Sequence, residues 1–529
     1  MTRNVRNEVL IIVPPNSNTV IENSLLTVTR PQEHSDWSDF LCLGALSLAS
    51  ALRKNQSLNP LYVDGNVIDI PTILSYISSN SDHILAVCIS ALTDSYEAGT
   101  MIARHAKAVD DRIWTVVGND HFTALPDECM RHSKCFDFGF VGNEVIAPFS
   151  QLIGDLHAGV PVKPDAYPAL ISRAGNSVRS TPFRPEPVFS HYSYSLIDEG
   201  FIHTPQYSSQ FKQRIAPRVR ELLGKTVTAG IPIELGRGCV KFADNDACSF
   251  CSIQYGGMWR NQLTPEEAWQ VVASAWEAGY DYLNITADEL PLTFVSLLNG
   301  MNSAKPKWWR DLSAGDRPML VGYARADGIA DERRTRLLVD LGIRQVMIGM
   351  DAGSAISLAA MNKPLGGRHR DIRQAADQLF RQNWKAIQVA RDHGLLIKAG
   401  FVIGHIGMTP EILAENIERI EALISKGRDI ISTVDVEVLS PQPGSRDFMY
   451  LTSPQAATAA AERLGLSIAE LNELNAVAAN WRGRDVVPSE LTMRDFARVF
   501  MPEVGFDALA TARSQIRDFA QQSGIVVGM

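Results

Sequence analysis

The sequence contains no run of basic residues. Its 50 lysines and arginines are outnumbered by 59 aspartates and glutamates, giving a net charge of −9. A nucleic-acid partner favours a basic stripe, so none is expected. Long apolar runs are also missing. The longest uncharged apolar stretch, Phe40 to Leu52, falls short of the roughly 20 residues that a membrane helix needs. The opening segment MTRNVRNEVLIIVPPNSN carries one five-residue apolar run before two prolines, too short for a signal peptide. No membrane partner is expected, and the expected location is the cytoplasm. The seven cysteines, an odd number in a chain of 529 residues, do not make a disulfide framework. Internal repeats and low-complexity tracts are absent.

What is present points to an α/β protein of two or three domains, since the chain is too long for one core. Over residues 1–155, short β-rich runs (VLIIV, LYVD, ILAVCIS, IWTVVG, FDFGFVG) alternate with helical patterns such as SYEAGTMIARHAKAV. That alternation predicts a doubly wound parallel sheet, whose ligand sits beyond the carboxyl ends of the strands where the strand order reverses. Residues 156–230 are proline-rich, as in VPVKPDAYPAL and TPFRPEPVF, and read as a connecting segment that wraps rather than folds alone. From 231 the alternation returns through IPIEL, YLNIT, MLVGYA, QVMIG, IKAGFVIG and TVDVEV. Six strand–helix units suit a full or partial β/α barrel over 231–449. Thr264 and Glu267 have the spacing of a capping box at the start of one helix. Residues 450–529 are mostly helical by pattern.

Three cysteines fall within thirteen positions of the segment GRGCVKFADNDACSFCS: Cys239, Cys248 and Cys251, spaced C-x8-C-x2-C. They follow the first strand of the second region, and in barrels the loops at the carboxyl strand ends build the active site. Structural zinc takes four ligands, yet no histidine lies between His203 and His369 and no cysteine follows Cys251. A zinc site needs a distant fourth ligand. A four-iron cluster on three thiolates keeps one iron open. Thiols without a metal are the third reading. The remaining cysteines, Cys42, Cys88, Cys129 and Cys135, read as ordinary buried thiols. The GKT at 224–226 has valine where a phosphate loop needs its upstream glycine.

The second region resembles the radical S-adenosylmethionine (SAM) enzymes. Their cysteine loop also follows the first barrel strand and commonly reads C-x3-C-x2-C with an aromatic before the last cysteine, the place of Phe250 here. The first spacing departs from that pattern, eight rather than three, through the polar insert VKFADNDA. Further matches keep the family's order: ITADELP, GYARADGI, IGMDAGS, AAMNKPLGG, GFVIGHIGMTPE and LSPQPGS. The resemblance implies a partial (β/α)6 radical SAM barrel with a 4Fe-4S cluster on Cys239, Cys248 and Cys251. It implies SAM contacts from Phe250, Asp288, Glu289, Arg325, Asp351 and Lys363. Each of these has a plainer role open to it: a helix start for Asp288 and Glu289, a turn for Asp351, a structural ion pair for Arg325, bare surface for Lys363.

The first region resembles the Rossmann-like cobalamin-binding domain that precedes this barrel in one large subgroup. LGALSLASALRK, YVDGNV, ISALTDSYEAG, VVGNDHFTALPDE and FGFVGNEV carry the likeness. Implied cobalamin contacts are Ser90, Thr93, Ser95, Gly118, His121, Gly142 and Glu144. The motif D-x-H-x-x-G, which supplies a histidine to cobalt in other cobalamin proteins, is missing, so His121 reads as structural rather than as a cobalt ligand. The implied activity is that of a cobalamin-dependent radical SAM methyltransferase. Such an enzyme transfers a methyl group from methylcobalamin to an unactivated carbon or phosphorus of a small metabolite or natural-product precursor, by way of a 5′-deoxyadenosyl radical. The alternative in the same subgroup is a cyclase, rearranging enzyme or oxidoreductase without net methyl transfer. Either needs a low-potential electron donor such as flavodoxin or ferredoxin.

Overall fold

A computed structural model describes residues 6–15, 21–22, 25–26, 41–175, 177–199, 205–243, 246–254, 258–366 and 371–528. The chain divides into two compact units. The first takes Met1–Gln210, Ser252–Gly257 and Gly483–Pro488; the second takes Phe211–Cys251, Met258–Arg482 and Ser489–Met529. Among the described residues, no helix is long and apolar enough to cross a membrane.

The first unit is built on β1 (Glu8–Val13), β2 (Asn59–Asp64), β3 (Ile84–Ser90), β4 (Trp114–Gly118), β5 (Phe138–Phe140), β6 (Leu170–Ala174) and β7 (Ser177–Ser180), in the order β2-β1-β3-β4-β5-β6-β7. From β2 to β5 the strands are parallel. β1 is apolar throughout its centre because helices cover both faces of such a sheet; Val9 to Ile12 have at most 1% exposure. Ile12, Val63, Val87, Ile89, Ile102 and Phe122 share one core. The order reverses at β1, which pairs with β2 on one side and β3 on the other. Loops after Val13 and Ser90 therefore flank the switch point.

The proline-rich segment does more than connect. β6 and β7 form an antiparallel hairpin on the edge of the first sheet, with Gly139 opposite Ile171. Pro164, Pro168 and Pro182 lie outside these strands, where a missing N–H removes no ladder bond.

The second unit holds β8 (Gly230–Ile233), β9 (Tyr282–Ile285), β10 (Met319–Arg325), β11 (Ile343–Asp351), β12 (Leu396–Ile403), β13 (Ile431–Val438) and β14 (Val526–Val527), neighbours in that order and all parallel. With its covering helices this is a partial β/α barrel. The expected capping box is present: Glu267 N–H donates to Thr264 Oγ1 at 3.2 Å, and Thr264 N–H to Glu267 Oε2 at 2.9 Å. The C-terminal region is helical, with Ile468–Trp481, Ser489–Phe500 and Gly505–Gln522 its longest helices.

Candidate cofactor site

Beyond β8 the chain enters a short antiparallel ribbon, Gly236–Gly238 against Arg260–Gln262. The ribbon zips together the two ends of the loop that carries Cys239, Cys248 and Cys251. It also accounts for the glycine of GRGC next to the first cysteine. Gly238 has φ +133°, and a Cβ there would lie 2.2 Å from the Trp259 carbonyl oxygen. Only glycine tolerates both conditions.

Cys248 is buried, Cys239 and Cys251 are half-buried, and none of the three is in a disulfide. Burial pushes the Cys239 thiol up to about 11, against the pull of the Lys241 N–H and the Arg325 charge. Among the described residues, no three or more His, Cys, Asp or Glu side chains converge as a single-ion site requires. Phe250 is half-buried between the last two cysteines in sequence.

Hydrogen bonds fasten this loop to three other segments of the unit. Val240 N–H donates to Thr293 Oγ1 at 2.9 Å, and the Thr293 hydroxyl donates to Glu289 Oε2 at 2.8 Å. Asn362 Nδ2 donates to Asp246 Oδ1 at 2.7 Å and to the Ala247 carbonyl at 2.9 Å. Ser249 N–H donates to the Met361 carbonyl at 2.9 Å. Asp447, on the helix Arg446–Thr452, accepts the Ser249 hydroxyl. Of the expanded spacing, Asp244 and Asn245 lie outside the described residues, and Val240–Phe242 fold as one tight turn.

Three cations lie near Cys248, the buried Arg325 and Lys241 and the half-buried Lys363, each paired with one carboxylate. Arg325, at the end of β10, binds both oxygens of Asp327 at 3.0 Å. Lys363 Nζ lies 2.6 Å from Asp351 Oδ2, and Lys241 Nζ lies 3.4 Å from Asp246 Oδ2. Unpaired charges at such depth cost several kcal/mol each, about 3–5 when one partner is removed. For Lys363, burial works against the charge but Asp351 prevails, so its pKa is raised. Cys248 lies within electrostatic reach of Arg325, Lys241 and Lys363, and Cys239 within reach of Arg325. Asp351 closes β11 at φ +57°, a left-handed backbone that costs a non-glycine residue about 1–3 kcal/mol.

The acidic candidates separate. Asp288 is half-buried and accepts the Gly238 N–H at 3.4 Å. Glu289 is 1% exposed, and burial raises its pKa. Its carboxyl group accepts from Leu292 N–H, Thr293 N–H and the Thr293 hydroxyl. It therefore builds the turn that holds Val240.

In the first unit the candidates cluster at the carboxyl ends of β3, β4 and β5. Ser90 Oγ accepts from Asn119 Nδ2 at 3.1 Å. Ser95 is buried and caps its own turn, accepting the Leu92 N–H at 3.0 Å. Gly118 is uncrowded: a Cβ built there meets only the Phe140 carbonyl oxygen, at 3.7 Å. Gly142 has φ +91° and faces the Phe183 ring at 2.8 Å from the same construction. Glu144 is buried and accepts the Glu186 N–H at 3.2 Å. His121 has both ring nitrogens engaged, Nδ1 with Thr93 Oγ1 at 3.2 Å and Nε2 with the Asp485 carbonyl at 2.7 Å. Burial pulls its pKa down to about 4. A neutral ring with two partners matches a structural histidine.

No family model matches the chain. An uncharacterized methyltransferase of Pyrococcus horikoshii is 22% identical over 457 residues, 84% of this chain and 83% of that protein. Among solved structures, the radical SAM methyltransferase TsrM from Kitasatospora setae, with cobalamin and a 4Fe-4S cluster bound, matches with a TM-score of 0.58 at 16% identity, over 85% of this chain and 78% of its own. The cobalamin-dependent SAM radical enzyme OxsB, with aqua-cobalamin and SAM bound, matches with a TM-score of 0.57 at 14% identity, over 88% of this chain and 62% of its own. The chain has the fold of the cobalamin-dependent radical SAM methyltransferases.

On this fold, sequence reasoning singled out the cysteines and the strand-end charges as candidates but missed what fastens them. Thr293, Asn362, Lys241 and Asp447 each contribute a side chain to the cysteine loop or its supports. The polar insert was itself the signal for Lys241 and Asp246. Nothing local marks Asp447, which lies 198 positions from Ser249.

Proposed function

We propose that the chain is a cobalamin-dependent radical SAM methyltransferase acting on a small molecule, with a 4Fe-4S cluster on Cys239, Cys248 and Cys251. One observation carries the reading. Three thiols, none in a disulfide, share a single zipped loop at the carboxyl ends of a parallel partial barrel, with Arg325, Lys363 and Lys241 near Cys248. That donor set fits a cluster with an open iron better than zinc, which takes four ligands. When bound, the cluster supplies the electron that splits the SAM sulfonium, and cobalamin carries the methyl group.

The protein's part is to bind, orient and exclude water. Asp288, Arg325, Asp351 and Lys363 are the side chains for the amino-acid and ribose parts of SAM, with Phe250 beside the cluster. Lys363 is already held by Asp351, so it is oriented before SAM arrives. In the first unit, the bare backbone at Gly118 and the hydroxyls of Ser90 and Thr93 are the contacts for cobalamin, while His121 and Ser95 brace the loops behind them. The net charge of −9 favours a small-molecule substrate over nucleic acid, and a flavodoxin- or ferredoxin-type donor would supply the electron.

Anaerobic reconstitution with iron, sulfide and hydroxocobalamin, then SAM and reductant, tests the reading. Methyl transfer yields S-adenosylhomocysteine together with 5′-deoxyadenosine. Deoxyadenosine alone indicates the rearranging chemistry, and neither product, or a zinc centre on the cysteines, rejects the scheme.

A further inference from the structure

The eight-residue separation of Cys239 and Cys248 is the chain's own departure from the compact radical SAM loop, and the described part of the insert is closely built. Lys241 is 3% exposed although it stands in a loop. Its ammonium donates to the Pro364 carbonyl at 2.7 Å and pairs with Asp246 across the insert. Asp246 N–H in turn donates to the Lys241 carbonyl at 3.1 Å. Asn362 closes the same stretch from the Met361–Pro364 side through Asp246 and Ala247. A long polar side chain gives up rotamer freedom to be buried, and this one does so within the stretch that joins Cys239 to Cys248.

We infer that Lys241 is a positioning residue for the metal centre: it folds the insert back on itself, so that Cys239 and Cys248 serve one site, and supplies a fixed positive charge beside it. The inference rests on the cluster assigned above and extends it. Two consequences separate the roles. Folding the insert back governs how tightly the cluster is retained. The charge favours the more negative, reduced state of the cluster, so its removal makes the midpoint potential more negative. Asn362 shares the first role only, because it carries no charge.

The test uses the full chain, reconstituted anaerobically with iron and sulfide, as wild type, Lys241→Met, Lys241→Arg and Asn362→Ala. Folding is checked by circular dichroism before loading. Iron loss to a chelator and the midpoint potential are then measured. Lys241→Met is expected to release iron about 10-fold faster, the lower end of what outer-sphere changes cost, and to shift the potential negative. Lys241→Arg restores the potential. Asn362→Ala speeds iron loss with the potential unchanged, and keeps the test decisive if Lys241→Met does not fold. Wild-type retention in both folded variants, or an unchanged potential in folded Lys241→Met, overturns the inference while the cluster stands. A wild-type chain that takes up no four-iron cluster removes the reading beneath it as well.

Discussion

Asp447 and Ser249 are joined twice: the Ser249 hydroxyl donates to Asp447 Oδ2 at 3.0 Å, and the Asp447 N–H donates to the Ser249 carbonyl at 3.0 Å. A buried aspartate thus grips the residue between Cys248 and Phe250. Burial pushes its carboxyl group up to about 7, against the Ser249 bond and the Arg446 charge. Between its unfolded value near 4 and about 7, the folded chain holds a proton that the unfolded chain has lost. Its contribution to stability is complete below the lower value and is lost as pH rises through the upper one. Thermal unfolding of the apoprotein across pH 4 to 8 should show this, with a contribution on the order of 4 kcal/mol before relaxation. Asp447→Asn should flatten that part of the profile. A profile identical to wild type counts against the buried neutral acid.

His121 acts at the opposite end of the scale. Its folded pKa lies near 4 because burial outweighs the Asp485 carbonyl, and the ring packs on Tyr96 with centroids 4.3 Å apart. The stability it supports is complete above the ordinary histidine value of about 6.5 and is lost as pH falls toward 4. His121→Phe should lose that acid sensitivity, read as the slope of melting temperature between pH 6.5 and 4.5. With both nitrogens occupied, His121→Gln should also leave the spectrum of bound cobalamin unchanged; a changed axial signature would make the histidine a cobalt ligand.

Gly238→Ala meets two penalties together, the backbone at φ +133° and the Trp259 carbonyl 2.2 Å from the new carbon. The expected cost is about 2–4 kcal/mol. Because the ribbon holds the loop ends, iron uptake should fall along with the melting temperature. Gly224→Ala, at φ +64° but with nothing within 4 Å of the new carbon, carries a backbone penalty alone, away from the ribbon, and should retain its iron.

Thr293→Val keeps the shape of a β-branched side chain but strips the bridge between Val240 and Glu289. Val240 N–H and the buried Glu289 carboxyl group each lose a partner, at about 1–3 kcal/mol. Iron retention is the measurement, and an unchanged rate of loss would show that the cysteine loop does not depend on this bridge.

Cys248→Ala removes a candidate cluster ligand and should abolish both 5′-deoxyadenosine and S-adenosylhomocysteine. Activity retained at even a tenth of wild type would weigh heavily against a cluster on these cysteines.

The barrel and the first sheet were legible because their strands are apolar runs between helices of regular period. ILAVCIS, for instance, appears as Ile84–Ser90. The hairpin Leu170–Ala174 and Ser177–Ser180 was not, since LISRA and SVRS are short and lie among prolines, and an edge strand needs little apolar pattern. At the site, residue type and order singled out Cys239, Arg325 and Asp351 as candidates. They could not reveal that Lys363 is paired with Asp351, or that Glu289 serves Thr293 and the adjacent turn. Those pairings are set by how loops fold against one another, and spacing along the chain carries no record of them.

The ribbon of Gly236–Gly238 against Arg260–Gln262 closes its loop with main-chain bonds that need no metal. Small zinc-dependent domains collapse when stripped because the ion is their core. Here the loop ends are tied by main chain, so a chelated, oxygen-damaged sample should remain a folded shell that can be recharged.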